Sequence, residues 1–569
     1  MIKLNYKSIL GACLEECIHV AGILNYFQFA RQCGYKTSFL GPAVKIPDLI
    51  NAIKKSTAGI VAISYRLTPE NGKQHVDHFV KEIKDNYLYD RKFYFGGLPE
   101  LAKYAKSLNF FDVVCEGGET LDDLLPKLKG IDRKDSEKKD YPSDLISRIE
   151  YKNPYPVLRA HFGLPSLEDT YSGIKQIAGA KVLDVISIAP DQAAQENLQR
   201  PSVLKKLSKG SGGAPIRSRE DLEKMYKLSR RGNFPLLRIY SGTQDLRKNA
   251  RLFQETIHNA WAAIPIFWYS KLDGRGPLEV EGAISEHFDA IQWHAKRNIP
   301  VEVNDPHQWG LRMAPDHLVV ADAYLSARIA KSLGVKTYIE QLMFNTPSGN
   351  NFKMDLARVL AMIEIVQPLQ DNSFKVLKQT RAGLSYFSPK LQVAIGQLCT
   401  STVFQMAVKP QILHVVSYCE GDHAASPEEI INSCTILKRV IQDCYSGMPD
   451  LIRDPEVQDR KNELLTEASY TLNGIFNLRD NFIEGYPLLS PQVLASVVKK
   501  GILDAPQLIG NDSARGTIRT SIIDGKCVAV DKFNDLLDER DRLESLGISI
   551  DDSREVSDQQ VYNRIYGGV

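Results

Sequence analysis

The chain has 569 residues, 43% of them hydrophobic and 25% charged, with 71 Lys and Arg against 69 Asp and Glu. That length exceeds what one hydrophobic core sustains, so two or three domains are expected. A formal net charge of +2 supplies no basic field for nucleic acid, and no apolar run reaches the roughly 20 residues that span a bilayer, so neither nucleic acid nor a membrane is expected as a partner.

The opening residues Met1–Lys7 lack the apolar stretch of a signal peptide, and a cytoplasmic location is expected. Strands are predicted at Lys7–Ala12, Lys36–Leu40, Ala58–Ser64, Lys92–Phe95 and Asp112–Cys115. They alternate with helices at Val20–Cys33, Ile46–Ser56, Gln74–Ile83, Leu98–Leu108 and Thr120–Leu128. Gly34 is a good residue to stop the first of these. Five strand–helix alternations over residues 1–130 predict an α/β, doubly wound, flavodoxin-like parallel sheet. The charged run Asp132–Asp140 then reads as a solvated linker, assigned to 131–160.

Over 161–450 the alternation resumes on a longer period. Strands are predicted at Val182–Ile188, Leu236–Ser241, Ile264–Tyr269, Val301–Asn304, Thr337–Phe344, Glu364–Val366, Val376–Thr380 and Leu413–Tyr418, with helices such as Ala321–Leu333 and Met354–Met362 between them. Eight such units suit a (β/α)8 TIM barrel. Residues 451–569 read as a polar, helix-rich C-terminal extension with a hairpin inside Gly510–Val530. The nine cysteines form no Cys-x-x-Cys pair and no three-cysteine cluster, so structural zinc and iron–sulfur ligation are not expected.

Chemistry is expected at the carboxyl ends of strands, where ligands bind in doubly wound sheets and barrels. After the first strand the loop reads Gly11-Ala12-Cys13-Leu14-Glu15-Glu16-Cys17-Ile18-His19-Val20-Ala21-Gly22. An imidazole there is a good transition-metal ligand. Ser64 ends the third strand, and Gly96-Gly97 ends the fourth, where missing side chains let a bulky group approach the backbone. At the barrel strand ends the polar candidates are Asp191 and Gln192, Asp305 and His307, Asn345, Arg381, Asp422 and His423, with Tyr240, Tyr269 and Tyr418.

These residues resemble the cobalamin-binding domain of methionine synthase and the carbon-skeleton mutases, nearest to the small subunit of glutamate mutase (methylaspartate mutase). That family carries Asp-x-His-x-x-Gly, Ser-x-Leu and Gly-Gly. His19, Gly22, Ser64, Gly96 and Gly97 match, Cys17 stands in place of the aspartate, and Ser-x-Leu becomes Ser64-Tyr65-Arg66. The resemblance implies that His19 ligates cobalt below the corrin, with Cys17, Gly22, Ser64, Gly96 and Gly97 around the cofactor. Pro235–Val440 resembles the large glutamate mutase subunit, fused here behind the small one. Arg238 looks like a substrate-carboxylate clamp, Tyr269 like the family's substrate-proximal tyrosine, and Glu420 like the acid near the adenosyl ribose. The resemblance implies a cobalamin-dependent isomerase, adenosylcobalamin favoured, with a carboxylate-bearing substrate, a radical mechanism and a homodimer. A corrinoid methyltransferase and a non-catalytic cobalamin-binding protein are the alternatives.

Overall fold

The computed structural model describes residues 4–119, 121–128, 141–204, 212–478, 487–548 and 550. The expected linker run Asp132–Asp140 lies outside them. The chain divides into two compact units, Met1–Asp140 with Gln442–Met448, and Tyr141–Ile441 with Pro449–Val569.

The first unit holds five parallel strands, β1 (Asn5–Cys13), β2 (Lys36–Phe39), β3 (Ala58–Tyr65), β4 (Lys92–Gly97) and β5 (Val113–Cys115), in the order β2-β1-β3-β4-β5. This is the doubly wound order with a switch point beside β1. All eight residues of β3 are buried, as a central parallel strand covered on both faces must be. The helix Ile46–Lys55 buries Ile46, Leu49, Ile50 and Ile53, a spacing of one helical face. Each such side chain contributes roughly 1.5–3 kcal/mol of burial free energy. The first helix, α1 (Ala21–Gln32), lies on one face of the sheet, where the Phe27 ring sits over Gly11 and a Cβ on Gly11 would collide with it at 2.4 Å.

In the second unit eight parallel strands form a nearly closed barrel: β6 (Val157–Phe162), β7 (Val185–Ile188), β8 (Leu236–Ile239), β9 (Ala262–Ala263), β10 (Val301–Glu302), β11 (Thr337–Phe344), β12 (Lys375–Ala382) and β13 (Ile412–His414). β13 pairs with β6, and the Ala260 N–H donates to Leu237 O at 2.9 Å across the remaining seam. Eight barrel strands are expected and eight are found, but they are not the same eight. Val157–Phe162 is a strand that begins inside the segment assigned as linker, 131–160, and crosses its end, and it follows a helix, Leu145–Lys152. Glu364–Val366 is not a strand; it ends the helix Phe352–Val366, which is buried on most sides. Ile264–Tyr269 leaves the sheet, because the Asp305 carboxylate accepts the Ile266 and Phe267 backbone N–H groups that a ladder would otherwise use.

Residues beyond 450 do not stand apart as an extension. The helix Pro455–Asn477 buries Val457, Leu464, Ala468 and Leu472 in the same core as Leu318, Leu325, Leu356 and Val359 of the barrel's outer helices. The expected hairpin is present as β14 (Arg519–Ile523) and β15 (Lys526–Val530). Among the described residues no helix is long and apolar enough to cross a membrane.

Candidate functional sites at the strand ends

In the first unit the register aligns Cys13 with Ser64, Ser64 with Gly96, and Gly96 with Cys115, a row across the carboxyl edge of the sheet. Partners in register face the same side, and the Cys13 Sγ and Ser64 Oγ atoms stand 3.2 Å apart. A Cβ on Gly96 would meet nothing nearer than the Ser64 Cβ at 4.0 Å, so this glycine borders open space. Gly97 does not; a Cβ there would strike the Phe95 ring at 2.7 Å. Gly96 can therefore admit a bulky group, whereas Gly97 serves packing.

The loop after β1 is pinned at three consecutive residues. Glu15 accepts the Ile46 N–H at 2.9 Å and pairs with Lys45 at 2.9 Å. Glu16 accepts the Tyr65 hydroxyl at 2.6 Å and faces the His75 ring at 3.1 Å, and these contacts hold its carboxyl down at about 2. The Cys17 Sγ accepts the Arg66 N–H at 3.3 Å. Beyond these anchors Ile18 and His19 are exposed. The Cys17 thiol is drawn below its usual range by its hydrogen bond to Cys13, and also by the backbone and ring of His19 and the Arg66 N–H. Cys17 stands two residues ahead of His19, where the family's aspartate would orient a ligating histidine, and its sulfur is taken by the Arg66 N–H. Gly22, in the first turn of α1, has the Arg66 Nη1 4.0 Å from where its Cβ would be.

One feature of this edge has no counterpart in the sequence reading. On α1 the Tyr26 ring packs beside Tyr94 at 6.2 Å, and its buried hydroxyl finds no hydrogen-bond partner. Tyr94 lies on the same sheet face as Ser64 and Gly96, two residues down the strand. An orphaned donor, an open glycine and a serine therefore share one face. These residues fit a ligand with an extended polar tail, which makes a corrinoid chemically compatible with the edge.

Inside the barrel the side chains form layers. The floor is apolar: Val157, Val185, Leu236, Trp261, Ile339, Leu377 and Ile412. Two residues further along the strands the interior turns polar, with Arg159, Ser187, Arg238, Gln341, Gln379 and His414. Arg159 donates to Gln379 Oε1 at 2.8 Å and Ser187 Oγ at 3.0 Å. Arg238 is 0% exposed, donates to Glu302 Oε2 at 3.2 Å, and has the Tyr240 and Trp261 rings at 4.7 and 5.2 Å. Its Nε and Nη1, the Arg159 Nη2 and both His414 ring nitrogens find no partner among the described residues. Burial, with the arginine charges adding to it, keeps His161, His307 and His414 well below the usual imidazole range, so all three are neutral.

Burial lowers Arg159 to about 9, with Arg238 reinforcing it. Glu302 stays ionised: burial alone would raise its carboxyl, but Arg238, Arg159 and the Trp261 N–H hold it below the ordinary value. Burial lifts Glu420 to about 7, with Arg381 and Arg159 opposing, and its carboxylate accepts the Ser417 N–H at 2.6 Å. Three buried guanidinium groups thus share an interior whose one firmly ionised carboxylate is Glu302, among the described residues of the network. Tyr269 adopts a left-handed backbone with φ +59°, stacks under the Arg275 guanidinium at 4.3 Å, and is within electrostatic reach of Tyr240 and Arg238.

Several other strand-end candidates have structural partners. Asp191 caps a helix through the Ala194 N–H at 2.8 Å and pairs with Arg217 at 2.6 Å. Asp305 holds the backbone after β9, and Asn345 accepts the Ser401 hydroxyl at 2.6 Å. Tyr418 is buried, and Arg381 donates to the Ala382 carbonyl at 3.1 Å. The sequence reading missed Arg159, His161, Glu302 and His414. The signal was the alternation Arg159-x-His161, which places both on one face of a strand.

No protein-family model matches the chain, and no curated protein matches it. Among solved structures it is similar to the cobalamin-dependent S-adenosylmethionine radical enzyme OxsB. The apo form matches at a TM-score of 0.17 with 10% identity, covering 77% of this chain and 56% of that one. The aqua-cobalamin-bound form matches at 0.18 with 10% identity, covering 76% and 56%. This chain therefore spans little more than half the length of that enzyme. At such TM-scores no residue and no activity carries across, and the reading below rests on this chain's own side chains.

Proposed function

We propose that the first unit binds cobalamin at the carboxyl edge of its sheet and that the barrel interior takes a carboxylate-bearing substrate, making the chain an adenosylcobalamin-dependent isomerase. The observation that carries this reading is the in-register row of Ser64 and Gly96, open above Gly96, beside an anchored loop that presents His19. In this reading His19 ligates cobalt through a ring nitrogen and Cys17 steadies the ring. Ser64, Gly96 and the Tyr26 hydroxyl line the face that receives the cofactor's polar tail, with Gly22 keeping the start of α1 slim and Gly97 keeping β4 packed. When bound, the cofactor supplies hydrogen-atom abstraction at an unactivated carbon, chemistry that protein side chains do not provide.

The barrel residues then have defined tasks. Arg238 and Arg159, with free N–H donors, engage substrate carboxylates, and planar guanidinium suits bidentate contact. Glu302 holds Arg238 through its Nη2, which leaves Nε and Nη1 to donate. Tyr269 contributes a hydroxyl kept neutral by burial, and Glu420, poised near neutrality, can donate or accept a hydrogen bond at a hydroxyl group. The apolar floor closes the lower end and keeps the polar layer from bulk water, which suppresses side reactions.

The test is the absorption spectrum of the purified chain after incubation with adenosylcobalamin and gel filtration, beside His19→Ala. Retained corrin with a His19-dependent spectral change is expected. Absence of co-eluting corrinoid with the wild-type chain overturns the reading. Corrin retained identically by both proteins removes His19 as the ligand.

A further inference from the structure

The loop after β13 carries a donor set that the reading above does not use. Cys419, His423 and Glu429 bring a sulfur, a ring nitrogen and a carboxylate oxygen within 4.8 Å of one another. Two of these donors are already oriented. Ser426 and Glu429 form a reciprocal capping box at the start of the helix Pro427–Ser446: the Ser426 N–H donates to Glu429 Oε2 at 2.9 Å and the Glu429 N–H to Ser426 Oγ at 3.3 Å. That box fixes one carboxylate oxygen and leaves the other, Oε1, 2.9 Å from His423 Nε2. The far side of the imidazole is held as well, since Nδ1 stands 2.9 Å from Asp422 Oδ2.

A carboxylate behind one histidine nitrogen, with the other nitrogen turned toward a thiol and a second carboxylate, is the arrangement that orients histidine ligands in zinc proteins. The donor types also discriminate. Thiolate with imidazole favours zinc(II) and related borderline cations over magnesium or calcium, which take oxygen. The separation between His423 and Glu429 is close to the donor–donor edge of about 3.3 Å that zinc–ligand bonds of about 2.0–2.2 Å imply for a tetrahedron. Cys419 is buried while His423 is half-exposed on the loop, so the ring and carboxylate can draw in on a fixed sulfur, and the cation has a route from solvent. The spacing Cys-x3-His-x5-Glu escapes a search for Cys-x-x-Cys pairs, so His423 stands out in the sequence only as a polar strand-end residue.

We propose that Cys419, His423 and Glu429 form a zinc(II) site at the carboxyl end of the last barrel strand, with Asp422 as the positioning carboxylate of His423. Three protein ligands leave a coordination position for water or a ligand oxygen, the pattern of reactive rather than structural zinc. Zinc there is a Lewis acid beside Glu420, independent of any corrinoid on the first unit.

The test uses the full-length chain purified without cobalamin, stripped with a chelator and reloaded with zinc sulfate or cobalt(II) chloride. The expected result is a single equivalent of zinc retained through gel filtration. The cobalt(II) form should show a near-ultraviolet sulfur-to-cobalt charge-transfer band. Cys419→Ser should lose that band, His423→Ala should lose the metal, and Asp422→Asn should weaken zinc by roughly 10–100-fold. Substoichiometric zinc and no charge-transfer band in the wild-type chain overturn the proposal, as does undiminished zinc in His423→Ala. The wild-type band is read without any variant, so a misfolded variant leaves the test intact.

Discussion

Glu302→Gln isolates the electrostatics of the barrel. Glu302 is 1% exposed; its Oε2 accepts the Trp261 N–H at 2.8 Å and a guanidinium N–H of Arg238 at 3.2 Å. Glutamine preserves the shape and can still accept from Trp261, so the change removes charge and little else. What remains is Arg238, 0% exposed, with Arg159 beside it and no firmly ionised carboxylate in the network. Breaking a buried ion pair by deleting one partner costs about 3–5 kcal/mol, two to three and a half decades in the folded-to-unfolded ratio. All four tryptophans, Trp261, Trp268, Trp293 and Trp309, belong to the second unit, so urea unfolding followed by tryptophan fluorescence reads the barrel alone. The double variant Glu302→Gln with Arg238→Met should recover most of the loss, because it removes the stranded charge. The sign with pH follows from the depressed carboxyl. Glu302 contributes stability that is present above its unfolded value of 4.5 and is lost as pH falls through its lower folded value, so the gap between wild type and variant should narrow in acid. A Glu302→Gln protein within about 1 kcal/mol of wild type at pH 7, or a double variant no better than the single, refutes the reasoning.

Gly96→Val should leave unfolding free energy unchanged or slightly raised, because its Cβ enters open space, yet abolish retention of adenosylcobalamin; a variant that keeps the corrin sinks the placement. Gly97→Ala is its control and should lose about 1–3 kcal/mol through collision with the Phe95 ring, seen as a lower denaturation midpoint. Tyr26→Phe removes a buried hydroxyl without a partner, so stability should hold or rise by about 1 kcal/mol while cobalamin affinity falls; a clear loss of stability would show that the hydroxyl is satisfied. For Glu420 the folded carboxyl, at about 7, lies above its ordinary value of 4.5, so it favours folding below that value and the benefit is lost as pH rises through 7. Glu420→Gln should therefore be more stable than wild type by about 3 kcal/mol at pH 8, with the difference gone near pH 4, measured by urea unfolding at both pH values.

The first unit was legible because its central strands, β3 above all, are apolar runs between helices of clear period, and the predicted and observed strands differ by one to three residues at their ends. The barrel hid its first strand for the same reason that it has a site. Arg159 and His161 point inward, so Val157–Phe162 alternates polar and apolar where an ordinary barrel strand would be apolar throughout. The opposite error arose at Glu364–Val366, where a helix covered on both sides by other helices loses its polar stripe and mimics a buried strand. β9 (Ala262–Ala263) was displaced, because the longer apolar run Ile264–Tyr269 just after it drew the prediction. Within the site, Arg238 was visible through a family motif, whereas Glu302 was not, since only the register of β10 with β11 turns it inward. The Tyr26 hydroxyl is invisible in sequence because its isolation depends on how α1 packs against β4.

The packing of the C-terminal segment sets a schedule for synthesis. His317, in an outer helix of the barrel, meets its carboxylate partner Glu539 at 2.9 Å across a separation of 222 residues, and Glu539 also accepts the Thr471 hydroxyl at 2.6 Å. At translation rates of about 5–20 residues per second, roughly 10–45 s pass between the emergence of the two partners. For the first part of that interval, until Leu464, Leu472 and Ile475 emerge, the face they will cover is bare. The nascent barrel thus carries exposed apolar surface over a window fixed by its own topology, while the five-stranded sheet of the first unit, built from neighbouring strand–helix pairs, can form before the barrel is made.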